Sequence, residues 1–423
     1  MLFAKLTEYF EKLEGTSSRL VLIDILAELF SKVKSDEIAK VCYLLQGRVA
    51  PFYEPLEIGM AEKSVAAAMA RTYGIEREQV LKEYGRIGDL GLVAERHSEL
   101  VSESQKRSRN KFGMTVNEVF ETLRNIAKTT GEGTVEKKIS SLAGLLQKVD
   151  GIGAKHLVRI PLGVSRLGIG DPTILDAFAL VFARDRAKRP ILEAAYNRVS
   201  DLGLIGEILW SRGIRGVRGL DVTVGRPIRS QLAERLPDPK TILEKFGWEA
   251  HVQQKFDGFR VQIHKDGDKI RLFSRNLEET TPMFPDIIQG VLSQVKAKTA
   301  ILDSEALAFN PVSEEFLPFQ ETTKRRRKYG IEEMAAKLPL KAFVFDVMYL
   351  DGKSLMDTPL RERIKLLESR IKGNEVLIPE VGEITDSSDR IQELFDDALT
   401  KGLEGLIVKR PTSKYEAGAR NFN

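Results

Sequence analysis

Apolar side chains recur at helical spacing over the first 187 or so residues of the chain. Leu2, Leu6, Phe10 and Leu13 would share one face of a first helix. The same period marks SVAAAMARTY, TVNEVFETLRNIA, VEKKISSLAGLLQKV and TILDAFALVFARDR. Strand-like alternation is nearly missing there. The pattern predicts roughly ten helices joined by short Gly or Pro loops, and hence an all-α region.

The helical period disappears between about residues 212 and 236, where the chain is rich in Gly, Pro and Arg. This composition is typical of a basic linker. Farther on, strand-like runs are separated by helical segments such as RERIKLLESR and SDRIQELFDDALTK. The strand-like runs are HVQQKF, FRVQIH, KIRLFS, AILDSEALAF, KAFVFDVMYL, EVLIPEV and GLIVKR. We predict a multidomain chain: an all-α domain at 1–215, a basic linker at 216–238 and an α+β domain at 239–423.

Composition narrows the class of protein. A chain of 423 residues is too long for one core, and no apolar run reaches the 18 or so residues that would span a bilayer. The single cysteine, Cys42, excludes an internal disulfide framework and a four-cysteine zinc site. We expect a cytoplasmic protein without a membrane partner. The net charge of +4 permits a polyanionic partner without requiring one.

Positive charge is concentrated locally, in KRSRNK at 106–111 and KRRRK at 324–328. Such runs are more often solvated surface than binding sites, so they support a polyanionic partner only weakly. A second candidate is the loop GIGAKHLVRIPLGVSRLGIGDPT, whose glycines leave backbone amides open to a phosphate. Its bases Lys155, Arg159 and Arg166 are predicted to be exposed. The alternative is that these are ordinary interhelical turns.

The six residues KFDGFR carry the most specific chemical signal. Lys255 ends one alternating apolar run, and a second run starts directly after Arg260. This pattern indicates a reactive amine held between two strands. A surface hairpin with Gly258 at its turn and both cations solvated is the alternative.

A lysine that attacks a phosphoryl or acyl centre must lose its proton, although its usual pKa is near 10.4. Burial and neighbouring cations lower that pKa. Phosphoryl transfer also needs cations on the phosphate oxygens and a carboxylate-held Mg²⁺. The later strands offer Arg260, Arg275, Asp303, Glu305, Glu404 and Lys409. The competing interpretation is that these charges cap strand edges against aggregation.

Five segments in order, KFDGFR, FSRN, ILDSEALAF, FVFDVMYLDG and EGLIVK, resemble the nucleotidyl-transfer motifs of ATP-dependent DNA ligases of the archaeal and eukaryotic replicative type. In the first half, LEGTSSRLVLIDILAELF, YLLQGRVAPFYEPLEIGM and RLGIGDPTILDAFA resemble the helical DNA-binding domain of that family. The resemblance implies nick sealing in duplex DNA, during replication, repair and recombination, with ATP and Mg²⁺. It also implies that Lys155, Arg159 and Arg166 contact DNA.

The same resemblance assigns roles residue by residue. Lys255 would attack the α-phosphate of ATP and carry AMP as a phosphoramidate. Arg260 and Glu305 would hold the ribose, Arg275 the sugar or phosphate, and Phe345 would stack on adenine. Glu305 and Glu404 would bind the metal, and Lys409 and Arg420 would lie near the phosphates. From the strand pattern alone, Phe345 is a core aromatic.

The chain departs from the family pattern at three places. After the linker, relatives often read Pro-Met-Leu-Ala, where residues 230–233 of this chain read Ser-Gln-Leu-Ala. Relatives usually carry a glutamate that accepts from the adenine amino group, where this chain has Gln253, whose amide could accept or donate. The chain also stops at Asn423, inside the last adenylation motif. The resemblance then predicts that the C-terminal OB-fold is absent and that efficient self-adenylation is lost.

Two other functions stay open. One is a DNA-binding fragment without efficient catalysis, and the other is an RNA ligase or capping-type nucleotidyltransferase. Family resemblance also suggests a sliding clamp as a partner, through residues 105–108, although the usual paired aromatics are missing there. A nucleoid-associated location follows from the DNA substrate.

Overall fold

The computed structural model describes residues 1–104, 113–182, 186–313, 315–327 and 329–421. Two compact units make up the chain. The first contains Met1–Tyr196 and Asp201–Leu220, and the second contains Asn197–Ser200 and Asp221–Asn423. The basic run at 106–111 and the segment 105–108 lie outside the described residues.

The first unit is built from helices. Helices α1 to α12 are Phe3–Glu14, Arg19–Lys32, Ile38–Leu45, Glu62–Tyr73, Arg77–Ile87, Leu90–Ser104, Val116–Lys128, Thr134–Leu146, Gly151–Arg159, Asp171–Phe182, Arg189–Val199 and Leu202–Arg218. The four longer periodic segments of the sequence correspond to α4, α7, α8 and α10. Helix α7 starts with a capping box in which Thr115 and Glu118 satisfy each other's backbone amides.

Packing explains why apolar residues recur at helical spacing in the first unit. Leu6, Phe10, Leu26 and Phe30 are buried, and the ring of Phe30 lies 4.8 Å from that of Phe178. One apolar stripe per helix therefore closes the core of the first unit, as amphipathic helices require.

The second unit mixes strands and helices. Strands β1 to β12 are Leu232–Ala233, Ala250–Lys255, Phe259–Asp266, Lys269–Ser274, Thr299–Asn310, Glu315–Phe316, Leu340–Leu350, Lys353–Ser354, Leu377–Pro379, Glu383–Thr385, Gly405–Lys409 and Arg420–Asn421. Helices α13 to α18 are Pro239–Phe246, Pro285–Gln294, Phe319–Thr323, Ile331–Lys337, Leu360–Arg370 and Ser388–Thr400. Each predicted strand run overlaps one of these strands.

Two sheets organise this unit. The smaller has the order β10-β2-β11, and the larger runs β4-β3-β5-β7-β8, with β6 on β5 and β9 on β7. Leu243, Phe246 and Ile391 cover the small sheet from α13 and α18. Helices α14 and α17 supply Ile287, Val291, Ile364 and Leu367 to the core of the large sheet. Strands β1 and β12 form a separate parallel pair.

The segment predicted as a linker is largely ordered. Helix α12 continues to Arg218, and residues 221–231, here called the strap, lie in the second unit. The strap buries Val222 and Ile228. Its Ile228 donates to Gln262 Oε1 at 2.7 Å and accepts from Gln262 Nε2 at 3.0 Å. These apolar and polar contacts fix the strap on the large sheet, where a free connection is expected from its composition.

Candidate active site

A cleft of about 660 Å³ in the second unit brings the predicted nucleotide-site residues together. Its wall includes Gln253, Lys255, Arg260, Arg275, Glu305, Phe345, Glu404, Lys409 and Arg420. These nine residues come from β2, β3, β5, β7, β11, β12 and the turns beside them. The fold thus gathers residues that lie up to 167 positions apart, from 253 to 420.

Lys255 is the last residue of β2, opposite Gly405 in the pairing of β2 with β11. Its ammonium contacts the carboxylate of Glu404. The backbone fixes this approach, because the Glu404 amide donates to the Lys255 carbonyl at 3.2 Å. The lysine side chain is 42% exposed, so its amine is open to the cleft.

Burial favours the neutral form of Lys255, while its contact with the Glu404 carboxylate favours the charged form. Burial lowers the pKa of Lys255 below its usual value. Asp257 and Glu305 oppose this shift, while Arg235 and Arg275 reinforce it. A lysine with a lowered pKa carries a larger fraction of free amine near neutral pH, which nucleophilic attack requires.

The hairpin alternative for KFDGFR is wrong. Strand β2 pairs with β10 and β11, whereas β3 pairs with β4 and β5, so residues 256–258 cross from one sheet to the other. Phe256 stacks on Phe343 with ring centroids 3.8 Å apart. A Cβ at Gly258 would lie 2.4 Å from the Ala306 carbonyl oxygen. Only glycine allows this close approach.

Gln253 is buried on β2, and the structure fixes the orientation of its amide. The Nε2 group donates to the carbonyl of Glu380 at 2.6 Å and to that of Phe345 at 3.2 Å. Its Oε1 atom has no hydrogen-bond partner among the described residues. The oxygen is therefore the atom left to accept a hydrogen bond, which the sequence alone leaves undecided.

Arg260 is held rigidly by a buried carboxylate. Its Nε lies 2.9 Å from one Asp303 oxygen, and its Nη2 contacts the other. The Tyr415 hydroxyl donates to Asp303 at 3.0 Å. This fork-to-fork pairing orients the guanidinium toward the cleft. No sequence signal marks Tyr415, because only the fold brings it beside β5.

Glu305 lies opposite Arg260 in the pairing of β3 with β5. Burial raises the pKa of Glu305 to about 7, against the opposing charge of Arg260. A carboxylate whose charged form is disfavoured by burial is one that a divalent cation would stabilise. Together with Glu404 it offers two oxygen donors, which fits Mg²⁺ completed by phosphate oxygens and water.

Phe345 projects into the cleft from β7, between two cations. Its ring centroid is 5.4 Å from the Arg260 guanidinium carbon and 5.1 Å from Lys409 Nζ. Burial lowers the pKa of Lys409, and the carboxylate of Asp346 opposes that shift. Asp346 itself is paired with buried Arg363, at 2.8 and 3.0 Å. The ring is accessible from the cleft, unlike the core aromatic that its strand pattern suggests.

The rim of the cleft adds cations that sequence reasoning missed. Arg235 and Arg326 line it, in addition to Arg275 and Arg420. Arg326 pairs with Glu278, and its neighbour Arg325 is buried against Asp286. The basic run at 324–328 is therefore not one solvated surface, since one of its members anchors the turn from inside.

In the helical unit, the predicted exposure of Lys155 and Arg159 is wrong. Lys155 Nζ lies 2.7 Å from Glu11 and 3.1 Å from Glu14. Arg159 binds Glu14 at 2.7 Å and also contacts Asp89. Both cations are buried because the carboxylates of neighbouring helices neutralise them. They stabilise the unit and are not available to a DNA phosphate.

The glycines before these residues do not form an open anion site either. Gly151 and Gly153 lie in the first turn of α9, and the Asp150 side chain accepts from the Gly153 amide at 2.7 Å. That carboxylate already occupies the helix N-terminus. Arg166, by contrast, is 49% exposed. Of the three predicted DNA contacts, Arg166 is the one whose charged group is open to solvent.

Comparison with known proteins identifies the class. The family described as "DNA ligase N terminus" matches residues 2–179, and that described as "ATP dependent DNA ligase domain" matches residues 230–423. The chain belongs to the ATP-dependent DNA ligase family. The reaction of these enzymes is the sealing of nicks in duplex DNA with ATP, in replication and repair.

Individual relatives agree with this assignment. The chain is 44% identical over 424 residues to a probable DNA ligase of Dictyoglomus thermophilum, covering 100% of this chain and 71% of the relative. It is 40% identical to a DNA ligase of Sulfolobus acidocaldarius, in an alignment that covers 100% of this chain and 72% of the relative. The solved structure named Pmar-Lig_Pre shares the fold with a TM-score of 0.50 and 14% sequence identity. The superposition covers 98% of this chain and 76% of that structure. Within the described part of the chain, no helix is long and apolar enough to cross a membrane.

Proposed function

We propose that Lys255 is the residue that carries AMP during DNA ligation. Its Nζ forms a bond to the α-phosphorus of ATP while the bond to the leaving pyrophosphate breaks, and the amine proton passes to solvent. AMP is then transferred to the 5′-phosphate at a nick. The adjacent 3′-hydroxyl displaces AMP and closes the strand.

The other cleft residues have separate roles in this proposal. Gln253 Oε1 accepts from the adenine amino group, and Phe345 stacks on the base. Arg260 and Glu305 hold the ribose, and Arg275, Lys409 and Arg420 bind phosphate oxygens. Mg²⁺ held by Glu305 and Glu404 would neutralise phosphate charge and polarise the phosphoryl group. The contact of Glu404 with Lys255 must then loosen, which releases the amine for attack.

One observation carries the proposal: a lysine with a lowered pKa opens into the same cleft as an oriented hydrogen-bond acceptor, an accessible aromatic ring and several cations. This combination suits a nucleotide held for attack at phosphorus. Edge charges that merely cap strands would not converge on one cleft.

Covalent labelling tests the assignment. The complete protein is incubated with α-labelled ATP and Mg²⁺ and then denatured, and bound label is counted. Wild type is expected to retain acid-labile label, Lys255→Ala to retain none, and the control Lys269→Ala, at an exposed position on β4, to retain it all. Label on Lys255→Ala equal to that on wild type would contradict the proposal.

For the helical unit we propose contact with nicked duplex DNA, with Arg166 as one contact. Binding should weaken steeply between about 50 and 200 mM salt, because phosphate contacts release counterions. A comparison of nicked DNA with nicked RNA duplexes separates a DNA ligase from an RNA ligase. Sealing of RNA alone would favour the latter, and binding without sealing would favour a DNA-binding fragment.

Two predictions from the family resemblance lie outside the described structure. Clamp contact through residues 105–108 and association with the nucleoid both remain predictions. Co-sedimentation of the complete protein with a sliding clamp, and its distribution in fixed cells, are the measurements that test them.

A further inference from the structure

Arg235, Arg275 and Arg420 lie at the rim of the cleft without a carboxylate within 4.0 Å in the part of the chain that is described. Other arginines of the cleft are neutralised: Arg260 pairs with Asp303 and Arg326 with Glu278. Unpaired cations on a shared concave surface repel one another. They therefore favour a polyanion that would occupy the space between them.

Arg235 is the member of this set that no sequence motif identifies. It follows β1 by two residues, and backbone hydrogen bonds fix the position of this segment. The Leu232 amide donates to the Ala419 carbonyl at 2.9 Å, and the Glu234 amide donates to the Asn421 carbonyl at 3.1 Å. The pairing of β1 with β12 also sets Leu232 beside Arg420. The backbones of Arg235 and Arg420 are therefore held by the same two-stranded pair, β1 and β12.

Arg235 and the nucleophile line the same cleft. Its wall includes Lys255 together with Arg235, Arg275 and Arg420. A guanidinium offers N–H donors in a fixed fork that matches phosphate oxygens, and it keeps its charge at any pH at which the enzyme works. A triphosphate held in this cleft for attack by Lys255 would therefore find a donor in Arg235.

We propose that Arg235 is a phosphate-binding residue of the adenylation step, which contacts the triphosphate of ATP while Lys255 attacks. This inference rests on the proposed role of Lys255. As the Nζ–phosphorus bond forms, the bond to pyrophosphate breaks and its electron pair leaves with pyrophosphate. Arg235 stabilises the negative charge that develops on the leaving group.

The test compares the maximal rates of self-adenylation of Arg235→Gln, Arg235→Lys and Lys240→Gln in the complete protein, together with their melting temperatures. Lys240→Gln is the matched control, because it removes one exposed charge from the adjacent helix α13 outside the cleft. Arg235→Gln is expected to adenylate about tenfold more slowly than Lys240→Gln, with the same melting temperature. Arg235→Lys, which keeps the positive charge, should recover most of that rate.

A loss of rate that lysine does not rescue, or that comes with a lower melting temperature, would indicate a structural role for Arg235 and overturn the proposal. A rate for Arg235→Gln equal to that of Lys240→Gln would overturn it as well. Sealing of a pre-adenylated nick distinguishes the source of the phosphate: impairment confined to that reaction would assign Arg235 to DNA and contradict the ATP role. Label on Lys255→Ala would instead refute the underlying proposal for the nucleophile.

Discussion

The Gln253 side-chain amide donates to the backbone carbonyl of Glu380 at 2.6 Å. The amide also donates to the Phe345 carbonyl, so its oxygen is the atom left to bind a ligand. A buried acceptor selects for a donor on the base. The exocyclic amino group of adenine satisfies it, whereas the carbonyl of guanine would face it with a second acceptor.

We therefore expect self-adenylation with ATP to exceed that with inosine or guanosine triphosphate by roughly tenfold to a hundredfold, the cost of leaving one buried polar group unpaired. Labelling rates at subsaturating nucleotide measure this ratio. Equal rates with ATP and GTP would show that Gln253 does not read the base.

The second prediction concerns Arg159 and Arg166 in the helical unit. Arg159→Ala removes the buried guanidinium that pairs with Asp89 and Glu14 and should lower the free energy of unfolding by about 3–5 kcal/mol. Arg166→Ala should change it by no more than about 0.5 kcal/mol, yet weaken DNA binding and reduce the salt slope by about one. Urea unfolding and fluorescence anisotropy separate the two effects. Loss of stability without loss of affinity in Arg166→Ala would contradict its assignment as a DNA contact.

The third prediction concerns pH. The pKa of Glu305 is raised to about 7 in the folded chain, so the folded state binds a proton more tightly than the unfolded state. Its contribution to stability is complete below about pH 4.5 and is lost as the pH rises to 7, by on the order of 3 kcal/mol. Glu305→Gln should flatten this part of the stability profile. A profile that keeps its full slope in Glu305→Gln would assign the dependence to another group.

Because a divalent cation would favour ionised Glu305, Mg²⁺ at pH 7 should raise the melting temperature of wild type more than that of Glu305→Gln. Calcium-free and magnesium-free buffers with a chelator provide the reference. An equal response of both proteins to Mg²⁺ would place the cation elsewhere.

The fourth prediction concerns the buried pair of Arg260 and Asp303. Asp303→Ala leaves the Arg260 guanidinium without its carboxylate and should destabilise the fold by about 3–5 kcal/mol. Tyr415→Phe removes a single hydrogen bond to that carboxylate and should cost about 1 kcal/mol. Equilibrium unfolding measures both. Equal losses would contradict the assignment of the guanidinium as the main partner of Asp303.

The parts of this fold that depend on local pattern could be predicted from the sequence. Apolar periods located α4, α7, α8 and α10 and the main strands, since a single face of each element is buried. The order of motifs also singled out nine residues that share one cleft. In each case the information lies within a few adjacent positions.

What depends on distant contacts could not be predicted. Lys155 and Arg159 look exposed in sequence because their carboxylate partners lie more than 60 positions away along the chain. The strap looks like a linker because its partners, such as Gln262 and His264, belong to a strand that follows it. Tyr415 has no motif of its own, and its partners Asp303 and Gln231 lie more than 100 positions before it.

The crossover at residues 256–258 separates Lys255 from Arg260 and Glu305 by placing them on different sheets. The two sheets share no backbone ladder there, although the Gln253 side chain reaches from the smaller sheet to the Phe345 carbonyl of the larger one. A nucleotide that contacts both Phe345 and Lys255 would span the two sheets. The distance between the attacking amine and the α-phosphorus would then depend on how the two sheets are spaced, and not on the strand that carries the lysine alone.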